Sequence, residues 1–202
     1  MIDETLINNF KNWFEKLDKT SLPQFDELPD FNLYMDQLIN YLEIQSRVLE
    51  TSSVDAQITP SMVNNYVKGK IVDAPCKKKY SREQIGELLE LIYLKKVLSL
   101  PEIKQIFDVK YSQESLKEKS YNEYAEIKKA ATRKAVQDAK VQLNDIDYKN
   151  KDEVIDAALD LAARANAYAV IAKRLLHTQS LLDHAQSKDE VIEEALGETN
   201  KQ

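Results

Sequence analysis

The sequence predicts an all-α protein with room for at most one very small β-ribbon. Three observations lead there. Apolar residues recur at three- and four-residue spacing, and a period of two is nowhere sustained. Helix start signals repeat at Thr59-Pro60, Ser81-Arg-Glu-Gln84 and Ser99-Leu-Pro-Glu102. After Pro101 there is no proline, and no glycine before Gly197, so only capping residues and Asn/Asp clusters can end a helix there.

Leu6, Ile7, Phe10, Trp13, Phe14 and Leu17 share one face, predicting a helix from Asp3 to about Asp18 whose aromatic side, Trp13 included, joins the core. Pro23 and Pro29 interrupt the chain from Thr20 to Asp30, and Leu22, Phe25 and Leu28 pin this extended connector down. Asp30 caps a helix of roughly Phe31 to Leu49 with Tyr34, Leu38, Tyr41, Leu42, Val48 and Leu49 on its buried side, and Glu50 to Gln57 is a loop.

Thr59 and Pro60 open a two-turn helix, Pro60 to Lys68, which Gly69 ends in a left-handed conformation. Ile71 and Val72 return to the core before a tight turn, DAPCKKKY, the one place for a tiny hairpin. Ser81 to Gln84 is a capping box flanked by a Tyr80–Ile85 staple; its helix turns Ile85, Leu88, Leu89, Ile92 and Val97 inward. Ser99 to Glu102 opens Leu100–Phe107, with Ile103, Ile106 and Phe107 inward. Helices of about Glu114–Leu143 and Asp152–Ala185 follow, then a short one near Lys188–Leu196; the Asn144–Asp152 run is the turn between the long pair.

The 202 residues suffice for one substantial core with a helical appendage. No apolar run approaches the ~20 residues of a membrane span, and Met1 to Phe10 lacks a basic leader, so no membrane association is expected. Cys76 is the only cysteine, which makes the cytoplasm the expected location. The net charge of −6 disfavours nucleic acid only until it is divided. Residues 1–58 carry 4 basic and 11 acidic side chains, whereas 59–82 carry six basic ones (Lys68, Lys70, Lys77, Lys78, Lys79, Arg82) against Asp73 alone. A phosphate feels the local field within about a Debye length of ~8 Å, so this basic island outweighs the total.

On the Pro60–Lys68 helix, Met62, Val63, Tyr66 and Val67 take one side and Ser61, Asn64, Asn65 and Lys68 the other. Small amides and hydroxyls suit base edges in a major groove, since asparagine can pair with adenine. Three lysines on an adjacent turn suit the sugar-phosphate backbone. The candidate DNA-binding residues are Ser61, Asn64 and Asn65 for bases, with Lys68, Lys70, Lys77, Lys78, Lys79, Tyr80 and Arg82 along the phosphates. A surface helix beside solvated lysines is the plainer reading of the same residues.

This order of helix, basic turn, capped helix and further helix resembles the MerR-type winged helix-turn-helix. It is closer to a bacterial family known only as a MerR-like domain of unknown function. LPDFNLYMDQLINYLE (Leu28–Glu43), ITPSMVNNYVKGKI (Ile58–Ile71), KKKYSRE (Lys77–Glu83) and VLSLPEIKQIF (Val97–Phe107) carry the likeness. The resemblance implies a winged helix with a minimal β wing in a cytoplasmic, dimeric transcription regulator. The wing is shorter than is usual for MerR proteins, and the helix has no arginine, so no base preference carries over.

Val154, Ala158, Leu161, Ala165, Tyr168, Ala172, Leu175, Gln179 and Leu182 step by four and three as a heptad seam, with Ile155, Ala162, Ala169 and Leu176 beside it. It pairs with the stripe Tyr124, Ile127, Ala131, Ala135, Ala139 and Leu143 as an α-hairpin, with a second copy as a coiled coil, or with both, as an α-hairpin that pairs with its twin. The expected division is 1–110, the DNA-binding domain, and 111–202, the dimerisation or effector region. A two-fold homodimer presents its helices to half-sites about one helical turn, or a multiple of it, apart.

No glycine-rich phosphate loop, metal-ligand cluster or nucleophile–base arrangement is visible, so neither enzyme activity nor a cofactor is expected. His177 and His184 lie about 10 Å apart along a helix, too far to share a metal. Cys76 sits among lysines as reactive thiols do, but alone it builds no site. The rival to DNA binding is a protein-interaction adaptor using the same winged helix and the C-terminal helices.

Overall fold

The computed structural model describes residues 2–46 and 58–199. The elements are α1 (Ile2–Lys19), a 3-10 turn (Phe25–Glu27), β1 (Leu33–Tyr34), α2 (Met35–Ser46), α3 (Pro60–Lys68), β2 (Lys79–Tyr80), α4 (Arg82–Leu94), α5 (Leu100–Lys110), α6 (Glu114–Leu143) and α7 (Lys151–Thr199). The chain is thus mostly helical, and the two-residue strands are the only ones among the described residues. The expected loop at 50–57 and the end of α2 at 47–49 lie outside those residues.

Two units divide the chain, residues 1–161 and 162–202. In the first, α4 is the central element. Ile85, Leu88, Leu89 and Leu91 are fully buried, and each contributes roughly 1.5–3 kcal/mol by leaving water. Leu38 and Leu42 of α2, Ile103 of α5, and Tyr121 and Ala125 of α6 bury with them. The Ser81 capping box forms in full: its hydroxyl accepts from Gln84 N, and the Gln84 side chain accepts from Ser81 N at 2.9 Å. Ser99 and Glu102 form the second box, opening α5. The connector is anchored as its apolar residues predict, with Leu22, Phe25 and Leu28 all buried. Its backbone is tied down as well, since Asn122 Oδ1 accepts from Phe25 N at 2.8 Å.

Several boundaries differ from expectation. Leu33 and Tyr34 are strand, not helix, and pair antiparallel with Tyr80 and Lys79 respectively. The expected hairpin is therefore a long-range ribbon, although a Cys76–Lys79 bridge does close the lysine turn. Alternation sends Leu33 into the core and Tyr34 out to solvent. Val97 is 48% exposed and Leu98 is buried instead, because α4 ends at Leu94 and tight turns slip the inward register by one. α6 packs on α1, α4 and α5, so the first unit continues past the boundary expected at 110. The break expected before Lys188 does not occur, and α7 runs on to Thr199. Of the α6 stripe, Ala139 is buried and Tyr124 and Leu143 are half-buried, while Ile127, Ala131 and Ala135 stay exposed. In the second unit Tyr168, Leu175 and Leu182 are all exposed, at 71%, 67% and 54%.

Candidate nucleic-acid interface

Both ends of α3 are sealed by local chemistry. Thr59 Oγ1 accepts from Met62 N at 3.2 Å, and Pro60 occupies the first turn, where it forfeits no bond. At the other end Ile71 N donates to Tyr66 O and Lys70 N to Val67 O, both at 3.0 Å, a Schellman closure. Its left-handed residue is Lys70, with φ of 53°, whereas Gly69 stays right-handed at −72°. Gly69 was expected in that role; the helix runs one residue further before it turns.

Val63 and Tyr66 are buried beneath α3, while Ser61, Asn64, Asn65 and Lys68 are exposed on its outer face. α3 and the β-ribbon both pack on α2, which gives the amide face and the lysine turn a common support. The turn is rooted by buried Val72 and by Gln84 Nε2, which donates to Asp73 O at 2.8 Å. Lys79 N closes it onto Cys76 O at 2.9 Å, and Lys77 and Lys78 adopt φ of 50° and 64°. Left-handed backbone at a side-chain-bearing residue costs roughly 1–2 kcal/mol. Among the described residues, Lys70, Lys77 and Lys78 are the only non-glycine residues with positive φ. All three belong to the predicted phosphate set.

Two members of that set lie elsewhere. Tyr80 is 2% exposed and packs in the core, where burial raises its pKa; as the staple residue before α4 it is unavailable to a ligand. Arg82 is half-buried, its Nε donates to Pro29 O at 3.3 Å, and its guanidinium lies 5.8 Å from the Phe25 ring centroid. It holds the connector to α4. Lys68, Lys70, Lys77 and Lys78 are exposed, and Lys79 is half-buried. Cys76 is exposed, and among the described residues no group of His, Cys, Asp or Glu could hold a metal ion.

Two surface residues go beyond the sequence reading. The Lys79 ammonium lies 4.8 Å from the ring centroid of Tyr34, an exposed residue expected to be buried. Lys95, just past α4, donates from Nζ to Tyr66 Oη at 3.1 Å, which brings another cation beside α3. The only local hint of it was a lysine pair, Lys95-Lys96, at a helix C-terminus, where cations are favoured for dipole reasons alone.

At the root of the turn lies an ionic cluster in which Lys117 and Glu87 are buried while Asp73 and Glu114 are exposed. Lys117 Nζ is 3.2 Å from Glu87, 3.1 Å from Glu114 and 3.6 Å from Asp73 at the turn's root. Burial pushes Glu87 up to about 7, against the opposing pull of Lys117. Burial likewise takes Glu90 to about 7, while the Tyr111 hydroxyl donates to it.

No helix among the described residues is long and apolar enough to cross a membrane. Comparison with curated proteins and with solved structures finds no match to either. A family profile does match residues 23–127, from the connector through the ribbon, α3, α4 and α5 into α6. That is more than half of the chain, and it includes the whole candidate interface while leaving α1 and α7 outside. The chain therefore belongs to the family described as Domain of unknown function (DUF1836).

Proposed function

We propose that this protein is a DNA-binding transcriptional regulator of MerR-like winged-helix type, with α3 in the major groove and the Lys77–Lys79 turn as a minimal wing on the phosphates. The observation that carries this reading is the pair of left-handed lysines on a closed turn beside an uncovered amide face. Strained backbone at L-residues persists where the surrounding structure over-determines it, and it clusters at functional sites. Ser61, Asn64 and Asn65 read base edges; Lys68, Lys70, Lys77, Lys78 and Lys79 hold phosphates, and Lys95 extends that set.

The regulator acts as a homodimer through the α7 seam. Tyr168, Leu175 and Leu182 leave that seam exposed in the single chain. The same exposed stripe favours the second reading, an adaptor that docks a protein partner there.

A gel-shift series on genomic fragments at increasing salt separates the two. A DNA-binding regulator retards a subset of fragments, with affinity falling steeply as salt rises. Lys77→Glu, Lys78→Glu and Lys79→Glu together abolish the shift. Undiminished retardation by that triple variant rejects the wing assignment, and no retardation at any salt leaves the adaptor.

A further inference from the structure

We propose that the trench between α1, the end of α6 and the start of α7 binds a small amphipathic acid, with its apolar body in the inner end and its anionic head at Lys11 and Lys140. This site is separate from the proposed DNA-binding face. Two hollows, of about 350 Å³ and about 260 Å³, share Phe10, Leu143 and Tyr148 and so adjoin. Together they fall within the ~300–1,000 Å³ usual for small-molecule sites.

The two ends differ in chemistry. Ile146, Val154, Ala157, Ala158 and Leu161 line the inner hollow and bring no charged group to it. The outer hollow is lined by Lys11, Glu15, Lys140 and Asn144 with the aromatic pair Phe10 and Phe14. Two cations against Glu15 leave that end positive. Among the described residues neither Lys11 nor Lys140 forms an ion pair. Asn144 already donates from Nδ2 to Asp145 at 2.8 Å, which leaves the lysines as the cations to meet a carboxylate. At the junction Phe10 remains 37% exposed, its ring 5.9 Å from that of Tyr148. An alkyl chain passing between the hollows covers apolar surface that the protein leaves in water, and its head reaches charges lacking a counterion.

Trp13, the only tryptophan, is a built-in reporter, its ring centroid 5.9 Å from that of Phe10. The full chain is titrated with decanoate, decanol and decyltrimethylammonium, each below its micelle concentration, while Trp13 emission is followed. The expected result is a saturable shift with decanoate, binding on the order of tenfold more tightly than the ammonium, a difference typical of one charged contact. Lys11→Glu with Lys140→Glu, both at exposed positions, inverts that preference with unchanged circular dichroism. Ala158→Leu, which fills the inner hollow from an exposed position, weakens all three ligands.

A flat titration, equal affinity for the three head groups, or undiminished binding by Ala158→Leu overturns the proposal. So does Trp13 emission that shifts with protein concentration alone, because a second copy then occupies the trench.

Discussion

The Lys117 ammonium lies 3.2 Å from the Glu87 carboxylate in the buried space between α4 and α6, and the same ammonium reaches Asp73 at the root of the lysine turn. The lysine turn is thereby tied to Glu87, and burial holds both Glu87 and Glu90 of the same helix near 7, above the ordinary 4.5. Between those values the folded chain keeps protons that the unfolded chain has released. Their contribution to stability is complete below about 4.5 and is lost as pH rises through about 7. Glu83, held below its ordinary value by its hydrogen bond to Ser81 and nearby cations despite partial burial, acts only at lower pH. The unfolding midpoint should therefore fall between about pH 5 and 7.5, by the equivalent of a few kcal/mol. Glu90→Gln, which can still accept from Tyr111, should remove about half of that fall. Thermal melts across the pH series check this, and a flat profile, or an unchanged slope in the variant, contradicts it.

Replacing Lys77 by Asn and Lys78 by Gly should raise stability and lower DNA affinity together. Asn-Gly is favoured where both central residues of a tight turn take positive φ, as these two do. Relief of the strain is worth roughly 1–2 kcal/mol, or a few degrees of melting temperature for a chain of this length. If the lysines touch phosphates, the slope of log affinity against log salt falls by about two. Melting curves and a salt-series gel shift on one preparation read both effects. A variant that gains stability without losing affinity shows the lysines to be spectators.

The elements legible in the sequence were those with local causes. Thr59, Ser81 and Ser99 announced three helix starts because a cap is read within four residues, and the polar face of α3 followed from spacing alone. The β-ribbon was not legible, because its pairing joins Leu33 to Tyr80 across α2 and α3, and neither partner carries a strand signal. Tyr34 was misplaced for the same reason: at helical spacing an aromatic reads as buried, but strand alternation turns it outward. Tyr80 looked like part of the lysine turn because it follows Lys79. Its role as the staple of α4 was equally visible, and in the structure that role places it in the core. Lys95 reaches Tyr66 only through tertiary packing, which no local pattern encodes.

Gly86→Ala should destabilise the first unit despite alanine's better helix propensity. A Cβ at this position meets Tyr121 Cδ2 at 3.0 Å and Leu28 Cδ1 at 3.4 Å. Tyr121 cannot easily retreat, since it is 1% exposed and its hydroxyl donates to Pro23 O at 3.0 Å. Overpacking costs ~1–3 kcal/mol, against a propensity gain of ~1 kcal/mol. The net loss should be about 1 kcal/mol, read as a lowered denaturation midpoint with an unchanged urea slope. A midpoint at or above that of the wild type shows that the tyrosine yields.

The α7 seam should pair two chains antiparallel. Its residues alternate in size: Ala158, Ala165 and Ala172 occupy one heptad position, and Val154, Leu161, Tyr168, Leu175 and Leu182 the other. A parallel pair stacks alanine on alanine and tyrosine on tyrosine, giving voids and overpacked layers in turn. Reversing one helix about the Ala172–Leu175 stretch sets each small residue opposite a large one, Ala172 against Leu175 and Ala165 against Leu182, and leaves Val154, Ala158 and Leu161 clear to line the trench. In a Cys76→Ser background, Ala165→Cys and Leu182→Cys chains should each stay uncrosslinked alone with a short thiol-specific linker, yet form a covalent dimer when mixed. Crosslinking of either variant by itself indicates parallel helices, and a full chain monomeric by light scattering removes the dimer from the proposed regulator altogether.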